Sequence, residues 1–200
     1  MDLKRQFARP EGLGGSLVGR LMAVINKSQV EDVVRELAPA PGERVLEIGF
    51  GPGIGLATLA RAAPDVRIDG VDPSAEMVAA ARRRVRRHGA RVRPQEGTAA
   101  ELPWEDAVFD AVFATNSVQL WQPLAASLAE VRRVLRPGGR LVLGVLERAV
   151  TPDGGSAGPY FDAGLLPELR EAGFTGIESR WQPSNLGGTE LLVRAVRPAS

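Results

Sequence analysis

Apolar residues recur along this chain in two rhythms, and the chain switches between them repeatedly. Behind Ser16, the residues Leu17, Val18, Leu21, Met22, Val24 and Ile25 fall at helical spacing. Ser28 and Glu31 then read as a capping box for a second helix bearing Val30, Val33, Val34 and Leu37, which Pro39, Pro41 and Gly42 stop. Val45, Leu46 and Ile48 form an apolar run of the kind a strand covered on both faces requires. Ile54 to Ala63 returns to helical spacing, and Val66 to Val71 alternates as a second strand ending at Asp72. Ser74 to Arg87 is the next predicted helix, with Met77, Val78, Ala81 and Val85 inward. Arg91 to Gln95 and Val108 to Thr115 follow as strands, and Pro123 to Leu135 as a helix with Leu124, Leu128, Val131 and Leu135 on one face. Pro137, Gly138 and Gly139 turn the chain into a fifth strand, Arg140 to Leu146.

Strand and helix alternate up to Leu146, which predicts a parallel sheet covered on both faces. The end of the chain differs. After a loop, Thr151 to Gly158, and a short helix, Leu165 to Ala172, the strands Phe174 to Trp181 and Glu190 to Val196 have no helix between them. They pair as a hairpin, which makes one of them antiparallel to the rest. The expected fold is α/β, a Rossmann-like doubly wound seven-stranded sheet, mostly parallel with one antiparallel strand in a C-terminal hairpin. A single domain over residues 1–200 is expected, with an N-terminal helical cap (1–40), a cofactor-binding core (43–146) and a closing loop, helix and hairpin (147–200). The first two helices either cover a ligand or pack on the sheet.

Composition narrows the chemistry. Cysteine is absent and His88 is the single histidine, so disulfides, thiolate metal sites and a histidine metal cluster are excluded, and no metal is expected. A net charge of +1 gives no electrostatic footprint for nucleic acid or an acidic membrane, and the expected partner is a small molecule. Arg82, Arg83, Arg84, Arg86 and Arg87 read as a solvated helix face, and His88 as a helix C-cap. The N-terminus lacks the apolar stretch of a secretory signal, and the uncharged run from Ala111 is broken by Asn116, Gln119 and Pro123, so a cytoplasmic location is the expectation. Nothing in the pattern sets an oligomeric state.

The chemistry concentrates at Val45–Gly55, VLEIGFGPGIG. Glycines at this density bring backbone close to a ligand and leave N–H groups free at a helix N-terminus. A dinucleotide fingerprint, G-x-G-x-x-G, fails in both registers, because Ile54 or Leu56 stands where the third glycine belongs. What stands instead is E-x-G-x-G-x-G from Glu47 to Gly53, with Asp72 at the end of the next strand. Glu47 suits a ligand carrying an ammonium group and no pyrophosphate, and Asp72 is placed for the two hydroxyls of a ribose.

These motifs resemble the class I S-adenosylmethionine-dependent methyltransferases, in particular the small-molecule enzymes of the ubiquinone/menaquinone biosynthesis type (methyltransferase type 11). The resemblance spans about Glu43 to Leu146 and also includes GVDPSAEMVAAAR, GTAAELPWEDAVFDAV and LAEVRRVLRPGGRLVL, in that order. It implies S-adenosyl-L-methionine as cofactor. Gly49, Gly51 and Gly53 would then pass under its methionine and ribose portions, with Glu47 near the amino group. Asp72 would take the ribose hydroxyls, Pro73 and Met77 would flank the adenine, and Thr98 and Ala99 would meet the adenine edge. Thr98 departs from the family's usual aspartate. Asn116 and Val118 would border the methionine and the transferable methyl.

The implied reaction is methyl transfer to a small organic acceptor, a secondary metabolite or quinone-like compound, through oxygen, nitrogen or carbon. The alternative is a regulatory protein that keeps the cofactor pocket without turnover. A catalytic base is not legible, since Gln119 stands where many relatives have a histidine and cannot take a proton. Glu147, Tyr160 and Asp162 are candidates near strand ends, though each also reads as a surface or packing residue. Trp121 reads either as lining an aromatic acceptor pocket or as core, Phe7, Met22 and Tyr160 are candidates for acceptor contacts, and Trp104 is expected to pack beside Pro103 against the adenine loop.

Overall fold

The computed structural model describes residues 27–151, 157–184 and 188–199. Its frame is one seven-stranded sheet with the order β3-β2-β1-β4-β5-β7-β6. The strands are β1 (Arg44–Ile48), β2 (Arg67–Asp72), β3 (Val92–Glu96), β4 (Phe109–Thr115), β5 (Leu135–Leu146), β6 (Thr175–Pro183) and β7 (Thr189–Val196). β1 pairs in parallel with β2 and β4, β2 with β3, and β4 with β5. β7 inserts between β5 and β6 antiparallel to both, so it alone runs against the others. The helix-free connection predicted this, because only a hairpin joins strands without a crossover. The order reverses between β1 and β4, and the crevice beyond their C-terminal ends is where an open α/β sheet receives ligands.

Alternation along each strand builds two cores, one on each face. Val45, Ile68, Phe113, Val142 and Leu192 point to the face covered by α1 (Lys27–Leu37), α2 (Ile54–Ala62) and α3 (Ala75–Val85). Leu46, Val112, Leu141, Leu143 and Val193 point to the opposite face. There they meet Leu128 and Val131 of α4 (Leu124–Val134) and Phe161, Leu165 and Leu169 of α6. A short helix, α5 (Glu147–Val150), follows β5, and α6 runs in three segments, Gly158–Tyr160, the π-helical Phe161–Leu165, and Leu166–Glu171.

The structure corrects several local expectations. Ser28 lies inside α1 rather than capping it. α1 packs on the sheet: Val33 and Leu37 are fully buried, and Val33 packs so closely on Gly144 of β5 that a side chain there would overlap it. Helix α3 stops at Val85, and Arg86–Arg91 continues as a 3₁₀ segment in which His88 meets the guanidinium groups of Arg87 and Arg91 rather than capping carbonyls. Extended backbone begins at Leu135, not Arg140, with the pairing register jumping across the Pro137–Gly139 turn. The helix predicted for Ser16 to Ile25, the acceptor candidates Phe7 and Met22, and most of the Thr151 to Gly158 loop lie outside the described residues.

Candidate functional site

The turn after β1 is held open by its glycines and closed from below by Asp72. Gly49 and Gly53 sit at φ +72° and +80°, a left-handed conformation that side chains disfavour. Space adds a second constraint, since a Cβ on Gly49 would overlap Ser117 and one on Gly53 would come within 2.8 Å of Ala81 Cβ. Gly53 caps α2, whose first turn therefore directs its N–H groups toward the turn. Asp72, at the end of β2, accepts from Gly51 N–H at 2.8 Å and from Ser74 N–H at 3.0 Å, one bond to each carboxylate oxygen. Each oxygen keeps a second lone pair. Burial raises the Asp72 pKa, and the two backbone bonds oppose the rise.

Glu47 lies one residue before the end of β1 and is 2% exposed. Its carboxylate fills the space that a side chain on Gly55 would need and accepts the backbone N–H of Leu56. Its Oε2 has no hydrogen-bond partner among the described residues. Burial pushes its pKa well up, Leu56 works against the rise and the Asp72 charge adds to it. A buried carboxylate oxygen without a donor is costly, and a ligand ammonium group is the chemistry that would satisfy it.

The β4 end closes the other side. Asn116 follows β4 at φ +53° and Ser117 comes next, its hydroxyl donating to Ile48 O at 2.6 Å. Val118 is buried in the 3₁₀ turn Val118–Leu120. Gln119 Nε2 donates to Asn116 O at 2.9 Å, which leaves Gln119 Oε1 buried and without a partner among the described residues. Thr115 Oγ1 is likewise unpartnered. Near the C-terminal ends of β1 and β4, the three buried atoms Glu47 Oε2, Thr115 Oγ1 and Gln119 Oε1 thus have no hydrogen-bond partner among the described residues.

The other expected contacts lie along the β2 and β3 ends. Pro73 and Thr98 are exposed, Met77 is half-buried in the first turn of α3, and Ala99 is buried. Glu76 lies in the first turn of α3 and Arg82, Arg83 and Arg84 in its last, and Arg84 donates to Pro52 O at 2.8 Å, tying the solvated face to the turn. Trp104 packs on the buried cluster that includes Ala99 and Leu102, and its ring meets Phe109 edge-on with centroids 5.2 Å apart. Trp121 is buried in the core beneath α6, with its indole N–H unpartnered. Tyr160 stacks edge-on against Phe161, and burial pushes its phenol up to about 12, too high for a base near neutrality. Glu147 accepts the Thr189 hydroxyl, and Asp162 is exposed.

Sequence reading missed two residues of this site. Ser117 was legible only as a neighbour of Asn116, and Gln29 as one polar position on an apolar helix, yet Gln29 is fully buried and hydrogen-bonded to Asn116. Long-range partners of this kind leave no local signal. A cleft of about 420 Å³ between the end of α1 and the end of α2 lies at the opposite end of the sheet, lined by Val34, Pro39, Ala62 and Pro64, and contains none of these residues. Among the described residues no group of His, Cys, Asp and Glu could hold a metal, and no helix is long and apolar enough to cross a membrane.

Comparison with known proteins places the chain among relatives. Residues 45–139 match a family described as a methyltransferase domain. The uncharacterized methyltransferase YdaC of Bacillus subtilis is 26% identical over 170 residues, which cover 83% of this chain and 90% of that protein. The demethylmenaquinone methyltransferase of Thermus thermophilus is 37% identical over 123 residues, 62% of this chain and 54% of that enzyme. A crystal structure of an S-adenosylmethionine-dependent methyltransferase from Aquifex aeolicus superposes with a TM-score of 0.68 at 23% identity, covering 84% of this chain and 88% of that one. Most of the curated relatives are matched over less than two thirds of their own length.

Proposed function

We propose that this chain is a class I S-adenosylmethionine-dependent methyltransferase that binds S-adenosyl-L-methionine over the Glu47–Gly55 turn and transfers the methyl group to a small organic acceptor, a reading supported by the match of residues 45–139 to a methyltransferase domain and by the similarity to demethylmenaquinone methyltransferase. The observation that carries the reading is the unpartnered, buried Glu47 Oε2 beside a turn in which Gly49 and Gly53 have no room for a side chain. The cofactor's ammonium group would satisfy that oxygen, and its ribose hydroxyls would donate to the free lone pairs of Asp72. Gly49, Gly51 and Gly53 would pass under its methionine and ribose portions, and Gly51 has open space where a side chain would stand. Pro73 and Met77 would flank the adenine, Thr98 and Ala99 would meet its edge, and Asn116 and Val118 would border the methionine end.

When bound, the cofactor supplies an electrophilic methyl group on a sulfonium. The chain's own work is then to orient the acceptor and exclude water, which provides roughly 7–11 kcal/mol of the barrier in well-aligned reactions. Gln119 suits this role, because its unpartnered Oε1 accepts a hydrogen bond from an acceptor O–H or N–H without removing the proton. No side chain is assigned as a base. Calorimetric titration with S-adenosylmethionine tests the reading, with saturable binding expected and no binding at millimolar ligand refuting it. Methylated product from any small acceptor would separate an enzyme from a protein that only binds the cofactor.

A further inference from the structure

Gln29 is fully buried near the start of α1, and its partner is a second carboxamide 87 residues away. Asn116 Nδ2 donates to Gln29 Oε1 at 2.6 Å, and Gln29 Nε2 donates to Asn116 Oδ1 at 3.4 Å. Asn116 in turn is bonded on every polar group. Its Oδ1 accepts Leu146 N–H at 2.8 Å, its N–H donates to Gly144 O at 2.8 Å, and its carbonyl accepts Gln119 Nε2 at 2.9 Å. The network joins α1, the end of β4 and the end of β5.

Docking of α1 does not require this pair. Val30, Val33, Val34 and Leu37 bury the helix, Glu36 pairs with Arg180 of β6 at 2.7 Å, and Arg140 of β5 donates to Leu37 O. A leucine at position 29 would fill the same volume without the cost of burying a carboxamide. What the pair adds lies at Asn116. A non-glycine residue at φ +53° is uncommon, and here two side-chain partners hold it there. That conformation swings the chain out of β4 so that Ser117 stands over Gly49 and Gln119 folds back on the turn.

We propose that Gln29 is a positioning residue for the cofactor site: through Asn116 it fixes the Ser117–Gln119 turn against Gly49 and so sets affinity at the methionine end of the ligand. The inference rests on the cofactor reading above. α1 thereby serves as a strut whose first turn reaches the chemistry, while the rest of the helix is anchored elsewhere.

Titration of S-adenosylhomocysteine by calorimetry tests it on the wild type, Gln29→Met, Asn116→Ala, the double variant and Glu36→Gln. Gln29→Met should weaken binding about tenfold, the scale of one lost buried hydrogen bond. The double variant should bind no more weakly than Asn116→Ala alone, because both changes cut the same link. Glu36→Gln removes an α1 anchor far from Asn116 and should bind as the wild type does, even where its thermal midpoint falls. Gln29→Asn, too short to reach, replaces Gln29→Met if that variant does not fold. Wild-type affinity in Gln29→Met, additive losses in the double variant, or an equal loss in Glu36→Gln would each overturn the proposal. A wild type that does not bind the ligand at all overturns the cofactor reading beneath it.

Discussion

The Glu47 carboxylate occupies the space that a side chain on Gly55 would fill. The acid at the end of β1 and the first turn of α2 are therefore one packed unit, and the position of Glu47 Oε2 is fixed by a glycine eight residues later in the chain. Substituting Gly55→Ala forces that carboxylate to move. The expected cost is about 1–3 kcal/mol of stability from overpacking, accompanied by loss of S-adenosylhomocysteine binding, read by chemical denaturation and calorimetry. Retained affinity in a folded variant would separate Glu47 from the ligand.

Glu47 also makes stability depend on pH. Its folded pKa lies well above the ordinary 4.5, so the folded protein holds this proton more tightly than the unfolded chain. The contribution is full below that ordinary value and is lost as pH rises through the raised folded value. Glu47→Gln removes the titration and should gain stability on the wild type as pH rises, while binding the cofactor more weakly. Asp72 and Glu190, also raised mainly by burial, contribute in the same sense, so the slope is reduced rather than abolished. Urea midpoints from pH 5 to 8 measure the difference, and parallel curves for the two proteins would refute the assignment.

Asp72 supports the turn and, in the proposed complex, the ribose. Asp72→Ala leaves Gly51 N–H and Ser74 N–H without their acceptor, and affinity for S-adenosylmethionine should fall roughly 10- to 100-fold, the range for charged hydrogen bonds. Isothermal titration checks this, and an unchanged Kd would remove the ribose role.

Arg140 tests the frame rather than the site. It donates to Glu43 through both terminal nitrogens, at 2.9 and 2.6 Å, and to the carbonyls of Leu37 and Ala38 at the end of α1. Arg140→Met should cost about 1–3 kcal/mol, as expected for removing the charged hydrogen-bond donor of a partly buried pair. Burial alone would raise the Glu43 pKa, but the bonds from Arg140 and Ala40 outweigh it and hold the group below 4.5. That stability is present above the ordinary value and is lost as pH falls through the depressed one. The destabilisation caused by Arg140→Met should accordingly shrink in acid, measured as the gap between the two proteins' thermal midpoints at pH 3 and pH 7.

The elements of the sheet were legible because their signals are local. Val45 to Ile48, Val66 to Asp72 and Val108 to Thr115 carry the apolar runs of buried strands, and the absence of a helix between Phe174 and Val196 fixed the antiparallel pairing of β7. The glycine turn was equally legible, since Gly49 and Gly53 are required by backbone conformation and close approach, both of which leave a residue type at a fixed spacing. Element ends were less so. Extended backbone from Leu135 depends on pairing with Phe109 across a register jump, and beyond the stop of α3 at Val85 the 3₁₀ segment is tied down by Arg91, which donates to the carbonyls of Ala60, Ala63 and Val66.

The sequence by itself determined a strand, a glycine turn and a helix able to receive a small charged ligand, with Asp72 one crossover away. Tertiary structure decided which polar atoms at that turn are spent and which remain. Asn116 reads in the sequence as a residue at a strand end, yet its side chain is committed to Gln29 and Leu146, while Glu47 Oε2 and Gln119 Oε1 are left without partners. The reason is physical. Backbone conformation is imposed by a residue and its near neighbours, whereas the satisfaction of a buried polar atom depends on groups that the fold brings from far along the chain, as it brings Gln29 to Asn116.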